Sequence, residues 1–252
     1  MSQTDDLAAA RAIAALEGLL ADAPAIAAAL PAGFTEAARC FVALLLAANR
    51  QLNLTRVTEP GEVARLHLLD SLAALPIIDA VGPAAVVDIG SGGGLPAIPL
   101  AIARPEVSWT LVDSVGRKAA ALRGFAEALA LPNVSVRADR AEGLGHDASH
   151  RERYGMATAR ACAPLPVLVE LAVPLLLPGG TLLAWKGPLT SADEELRRGR
   201  AAAGQVGGGT PRIVATGVEA LGGHCFVTVR KESATPERFP RRPGEPARRP
   251  LG

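Results

Sequence analysis

The segment Val86-Val87-Asp88-Ile89-Gly90-Ser91-Gly92-Gly93-Gly94-Leu95 runs from a β-branched stretch into a glycine turn and then a helical pattern. Such a turn bends sharply at a strand end and lets a ligand approach the backbone where a Cβ would collide. The spacing is GxGxG after an acid at Asp88, whereas the GxGxxG of dinucleotide folds would require glycine at position 95, which is Leu95. A tight βα turn with no ligand is the competing reading. Against it stands Asp113, which ends the next strand about 23 positions after Gly90, where a carboxylate can accept both hydroxyls of a ribose. The same residue is suited to cap the following helix, and the two jobs are compatible. Glu142, just past a third strand, either accepts from the exocyclic amine of an adenine or occupies a first helical turn favoured by the dipole.

An acid followed by GxGxG is the pattern of S-adenosylmethionine (SAM) methyltransferases, in which the turn faces the methionine moiety. Further side chains sit where such a site would need them. Arg160 ends a nearly uncharged strand and needs a partner if buried: a structural acid, the SAM carboxylate or a target phosphate. Lys186, one of only three lysines, ends another apolar run and is expected to point at the same crevice, unless it merely closes a strand at the surface. His67 lies among leucines, where a satisfied core histidine is commoner than a ligand, and Asn53 is equally suited to capping a turn. The fourth strand reads Ala159-Arg160-Ala161-Cys162 and lacks the Asn/Asp-Pro-Pro-aromatic motif that grips an exocyclic amine, which disfavours methylation of adenine N6 or cytosine N4. Cys162 leaves open a cytosine-C5 enzyme with a covalent thiolate, although no Pro-Cys pair is present.

The elements that must position these residues follow from texture and composition. The 252 residues are 49 % hydrophobic, enough for a full core, and 26 basic residues nearly cancel 25 acidic ones, so whole-molecule charge draws the chain to no polyanion. The distribution is uneven: from Arg230 onward seven basic residues face three acids, a local charge of +4. Three scattered cysteines with no CxxC or histidine companions argue against a disulfide framework or a metal site and favour a reducing cytoplasm. The acids Asp5 and Asp6 stand where a secretion signal would need basic residues. The apolar stretch from Pro164 to Trp185 is broken by prolines and Pro178-Gly179-Gly180, so a buried helix followed by a buried strand is expected rather than a membrane span.

Residues 1–80 read as a helical region, and residues 81–231 as strands alternating with helices, which implies a parallel sheet covered on both faces. The runs RIVATGV and HCFVTVR predict a terminal hairpin, and residues 232–252 a basic, irregular Pro/Arg-rich tail.

Taken in order, Asn53-Leu54-Thr55, His67-Leu68-Leu69-Asp70-Ser71, DIGSGGGLPAIPLA, LVDS, Arg140-Ala141-Glu142, TARACAPL and Lys186-Gly187 resemble the bacterial 16S ribosomal RNA guanine-N7 methyltransferase family (RsmG, also called GidB). The resemblance spans roughly Phe34 to Arg230, and the ending FPRRPGEPARRPLG is similar to the family's tail; the chain departs from the family at Ala48 and Leu66. It implies an α/β class I SAM-dependent methyltransferase, Rossmann-like, with a seven-stranded mostly parallel sheet and an N-terminal helical cap. It also implies methyl transfer to N7 of nucleotide 527 of 16S ribosomal RNA in the small ribosomal subunit, with no metal and no membrane. Together with the residues read directly, the cofactor set is Gly90, Gly92, Leu95, Asp113, Ala141, Glu142 and Arg160, and the substrate set is Asn53, His67, Arg140 and Lys186. No catalytic residue is assigned, because guanine N7 offers an unprotonated in-plane lone pair and needs only to be held in line with the sulfonium methyl. The alternatives are the cytosine-C5 enzyme and a non-catalytic RNA-binding or ribosome-assembly protein on a vestigial cofactor fold.

Overall fold

The apolar runs of the central strands are buried on both faces, and consecutive residues divide between two cores. Val86, Met156 and Leu183 pack into one core, and Val87, Ala157 and Leu182 into the other. In the computed structural model, which describes residues 2–252, seven strands form one sheet. They are β1 (Ala85–Ile89), β2 (Ser108–Val112), β3 (Val134–Arg137), β4 (Tyr154–Arg160), β5 (Leu176–Lys186), β6 (Arg212–Ala215) and β7 (Cys225–Arg230). Their order is β3-β2-β1-β4-β5-β7-β6, and β7 alone runs antiparallel to its neighbours. The chain winds outward from β1 through β2 to β3, then restarts on the other side at β4. That reversal leaves a crevice at the carboxyl ends of β1 and β4, where open α/β sheets bind ligands.

The first core joins the sheet to the N-terminal helices α1 (Gln3–Ala21), α2 (Pro24–Ala28) and α3 (Phe34–Leu52). In α3 the buried Phe34, Ala38, Phe41, Val42 and Leu45 follow the helical period, so one stripe faces inward. Phe41 meets Phe125 edge to face at 6.1 Å between ring centres. Phe125 belongs to α8 (Gly116–Ala128), where it is buried with Ala119, Leu122 and Ala126 along one helical face. Between α3 and β1 lie α4 (Pro60–Glu62), a seven-residue π-helix (Val63–Leu69), α5 (Asp70–Leu72) and α6 (Leu75–Val81). π-helices are rare and cluster at functional sites; this one carries His67 and leads directly into Asp70.

Helix α7 (Ala97–Ala103) follows the glycine turn, and α9 (Ala141–Leu144) follows β3. The stretch from Pro164 is the expected buried helix, α10 (Leu165–Ala172), and then β5. Helix α11 (Glu194–Val206) packs on α10, and β6 and β7 form the expected antiparallel pair. Among the described residues no helix is long and apolar enough to cross a membrane.

The tail is irregular along most of its length, but it is packed against the domain. It folds back over the second core, burying Phe239, Pro240 and Pro246, and forms a last short helix, α12 (Glu245–Arg248). The reason is electrostatic as well as apolar: Glu170 of α10, fully buried, accepts from the Arg241 backbone N–H at 2.9 Å and from Nε at 2.8 Å. Two of the basic residues counted toward the tail's charge, Lys231 and Arg241, are thus held in ion pairs within the protein, with Glu152 and Glu170.

Candidate functional site

Two cavities meet at the end of β1. The larger, about 850 Å³, lies beyond β1, β4 and β5 and is lined in part by Gly92, Leu95, Asp113, His67, Arg160 and Lys186. The smaller, about 220 Å³, lies between β1, β2, α9 and α10 and has largely apolar walls, Ile89, Val112, Val167 and Leu171, with Glu142 at its side. Gly90 and Cys162 line both.

The glycine turn is shaped by its neighbours. Gly90 has φ +71°, and a Cβ there would lie 2.7 Å from the Cβ of Cys162, so glycine is required where the ends of β1 and β4 approach one another. Asp113 holds the turn from the next strand, accepting from the Gly92 N–H at 2.9 Å through Oδ2 and from the Val115 N–H at 2.8 Å through Oδ1. It therefore pins the loop and starts α8, as the sequence allows. Asp88, below the turn, accepts from the Thr158 hydroxyl at 2.7 Å, and its Oδ2 is buried without a partner. Burial pushes this carboxyl above its usual range.

On the far wall, Arg160 donates through Nη1 to the Leu66 carbonyl at 2.9 Å and to Asp70 Oδ2 at 3.0 Å. His224 Nδ1 lies 3.1 Å from Asp70 Oδ1, and the Asp70 carbonyl accepts from Trp185 Nε1 at 2.9 Å. Of the alternatives open for Arg160, the structural acid is thus present, while the residue still lines the cavity. His67 is buried with Nε2 2.8 Å from the Thr55 hydroxyl and Nδ1 unpartnered. Burial, reinforced by the Arg160 charge, pushes its pKa down to about 4, so the ring is neutral at physiological pH. Lys186 donates to Glu195 at 2.6 Å and to the Ala163 carbonyl at 3.3 Å, where the large cavity joins a cleft of about 620 Å³ leading to Arg198.

Ala141, Glu142 and Arg140 border the small cavity, so Arg140 stands apart from His67 and Lys186. Glu142 Oε1 accepts from Arg140 Nη2 at 3.4 Å and from the Gly244 N–H at 2.7 Å. Asn53 is exposed, in a left-handed conformation at the end of α3, and lines neither cavity; its neighbours Leu54 and Thr55 line the larger one. Residues without an assigned role in the sequence reading also join the site: Thr55, Asp70, Trp185, His224 and Pro246. Asp70 three positions after His67 is the only local signal among these, since that spacing places both on one helical face.

Cys162 is an exposed residue, yet the atoms packed about its thiol, with the Asp88 carboxylate nearby, push that thiol up to about 12. It is a protonated thiol at neutral pH.

Comparison with known proteins places this geometry in context. The model of the rRNA small subunit methyltransferase G family (GidB) matches residues 35–213. Ribosomal RNA small subunit methyltransferase G of Deinococcus deserti is 44 % identical over 209 residues, 82 % of this chain and 85 % of that protein. The protein of the same name from Deinococcus radiodurans is 43 % identical over 211 residues, 83 % of each. Among solved structures, an O-methyltransferase from Bacillus cereus in complex with SAH shares the fold with TM-score 0.52 at 20 % identity, over 75 % of this chain and 89 % of that one. The O-methyltransferase TomG from Streptomyces achromogenes does so with TM-score 0.52 at 18 % identity, over 77 % and 90 %. With a class I methyltransferase sheet and a family match running from α3 into β6, the chain belongs to the rRNA small subunit methyltransferase G family.

Proposed function

We propose that this protein transfers a methyl group from SAM to N7 of guanine 527 in 16S ribosomal RNA, acting on the RNA or the small ribosomal subunit in the cytoplasm and without a metal. The observation that carries the reading is the pair of cavities joined at Gly90, one apolar and of purine size with a carboxylate at its side, the other wide and lined by cationic and polar groups. The donor set fits the cofactor. The walls formed by Ile89, Val112 and Val167 suit the faces of an adenine, Glu142 suits its amine, and Asp113 beside the turn suits a ribose. When bound, SAM supplies an electrophilic methyl group on a sulfonium.

The protein's own residues then bind and orient. Arg160, fixed through Asp70, presents the remainder of its guanidinium to the cavity, where it suits a carboxylate or a phosphate. Lys186, paired with Glu195, stands at the junction with a cleft that Glu194, Glu195 and Arg198 also line. His67 and Thr55 shape the wall opposite the turn. No side chain has to accept a proton from guanine N7, and alignment is the whole task.

The thiol of Cys162 favours this chemistry over the cytosine-C5 alternative, because a group titrating at about 12 supplies almost no thiolate at neutral pH. Cys162→Ser is therefore expected to keep most of its activity. Its single-turnover rate should be nearly flat between about pH 6 and 8, since His67 stays neutral above about 4. A folded, SAM-binding serine variant without activity, or covalent trapping on fluorocytosine RNA, would move the assignment to C5. The direct test is mass spectrometric mapping of small-subunit RNA from a deletion strain before and after incubation with protein and SAM. New mass on guanine 527 is expected; modification elsewhere, or none, refutes the proposal.

A further inference from the structure

The C-terminal tail is held to the domain at three places before it reaches the small cavity. Arg151 donates through Nη1 to the carbonyls of Gly145 and Phe239, both at 2.7 Å, and through Nη2 to that of Thr235 at 2.8 Å. The His146 ring lies 2.6 Å from the Pro240 carbonyl. Arg241 then locks onto Glu170 of α10, the helix whose Val167 and Leu171 form one wall of that cavity. Beyond this anchor Gly244 donates its N–H to Glu142 at 2.7 Å, and Pro246 and Ala247 complete the lining. The cavity thus has a wall that α9, α10 and the strands do not supply. Two hydrogen bonds to the Glu142 carboxylate end on Oε1, and one of them comes from the tail.

We propose that residues 244–248 are part of the cofactor site: they close the adenine side of it, and Gly244 orients Glu142 so that its other oxygen is presented to the adenine amine. This rests on the reading of the small cavity as the adenine pocket. Gly244 and Pro246 are positioning residues here. A rigid donor on one carboxylate oxygen restricts the rotation of the other, and an apolar lid excludes the water that would compete for it.

The test is calorimetric titration of S-adenosylhomocysteine, which reports binding without turnover, into three proteins. These are the full chain, a chain ending at Pro243, and full-length Ala247→Trp. The truncation retains the Arg241–Glu170 pair and the clamps of Arg151 and His146, and it also removes the Arg249 carbonyl that accepts from Arg241 Nη2 at 2.8 Å and Leu251, which packs against the second core. Ala247 is exposed, lines the small cavity and belongs to neither core, so a tryptophan there adds bulk at the pocket without entering a core. Both variants should bind about tenfold or more weakly than the full chain, with little change in melting temperature for Ala247→Trp. Unchanged affinity in a folded truncation overturns the proposal, and if the truncated chain does not fold, unchanged affinity in Ala247→Trp overturns it. A full chain that fails to bind S-adenosylhomocysteine refutes the cofactor reading itself and the tail proposal with it. Binding by the full chain with unaltered variants removes the tail alone.

Discussion

Gly90→Val abolishes binding of S-adenosylhomocysteine in calorimetry while the circular dichroism spectrum remains native. The sequence suggests a collision between the new side chain and the cofactor, but the first collision is with the protein. A Cβ at position 90 would lie 2.7 Å from Cys162 Cβ and 3.3 Å from its Sγ, on a backbone at φ +71°. A β-branched residue in that conformation is strained by about 1–3 kcal/mol before any clash is counted. The turn can relieve both only by moving away from β4, which displaces the Gly92 N–H from Asp113 and alters both cavities at once. Loss of two ordered contacts at about 1.4 kcal/mol each corresponds to roughly 100-fold in affinity. The sheet survives because the strain falls at the tip of β1, outside the ladder from Ala85 to Ile89. Gly90→Ala in a Cys162→Gly background separates the two causes: it removes the clash and keeps the backbone strain, so part of the affinity should return. Wild-type affinity in Gly90→Val would remove the turn from the site.

The second large effect is on stability. Glu170 is fully buried and accepts three hydrogen bonds from Arg241: from the backbone N–H at 2.9 Å, from Nε at 2.8 Å and from Nη2 at 2.5 Å. Arg241→Ala leaves a buried carboxylate without its cation, which costs about 3–5 kcal/mol. At roughly 2–4 °C per kcal/mol for a protein of this size, the melting temperature should fall by about 6–20 °C. Much of that is the penalty of the orphaned charge, so Glu170→Met added to Arg241→Ala should recover a large share of the loss. Thermal melts of the two variants beside the parent decide the matter. A single variant within about 1 kcal/mol of the parent would mean that the tail is not anchored there, and the wall it forms beside Glu142 would lose its support.

What could be read from the sequence was what is local. The central strands announce themselves because a strand covered on both faces is mostly apolar, as Val86, Val87 and Ile89 of β1 are around the single buried Asp88. The helix after Asp113 shows its buried stripe through the 3.6-residue period, and the turn from Asp88 to Gly94 combines residue types that few other structures require. The parallel order then follows from strands alternating with helices, and the crevice from the parallel order. The family motifs extended the reading to side chains whose roles no periodicity reveals.

Tertiary structure alone decided which charges meet. Arg160 and Asp70 are separated by 90 residues and Glu170 and Arg241 by 71, and at such distances any acid is an equal candidate for any base until the chain is folded. The tail shows this most clearly. Its arginines and prolines read as a basic, irregular end because composition reports average polarity. One buried glutamate on α10, invisible as a partner in the sequence, draws Arg241 inward and carries Pro246 to the rim of the small cavity. The reason is physical: the energy of pairing a buried charge depends on distance and desolvation, and neither exists until the two segments have been brought together.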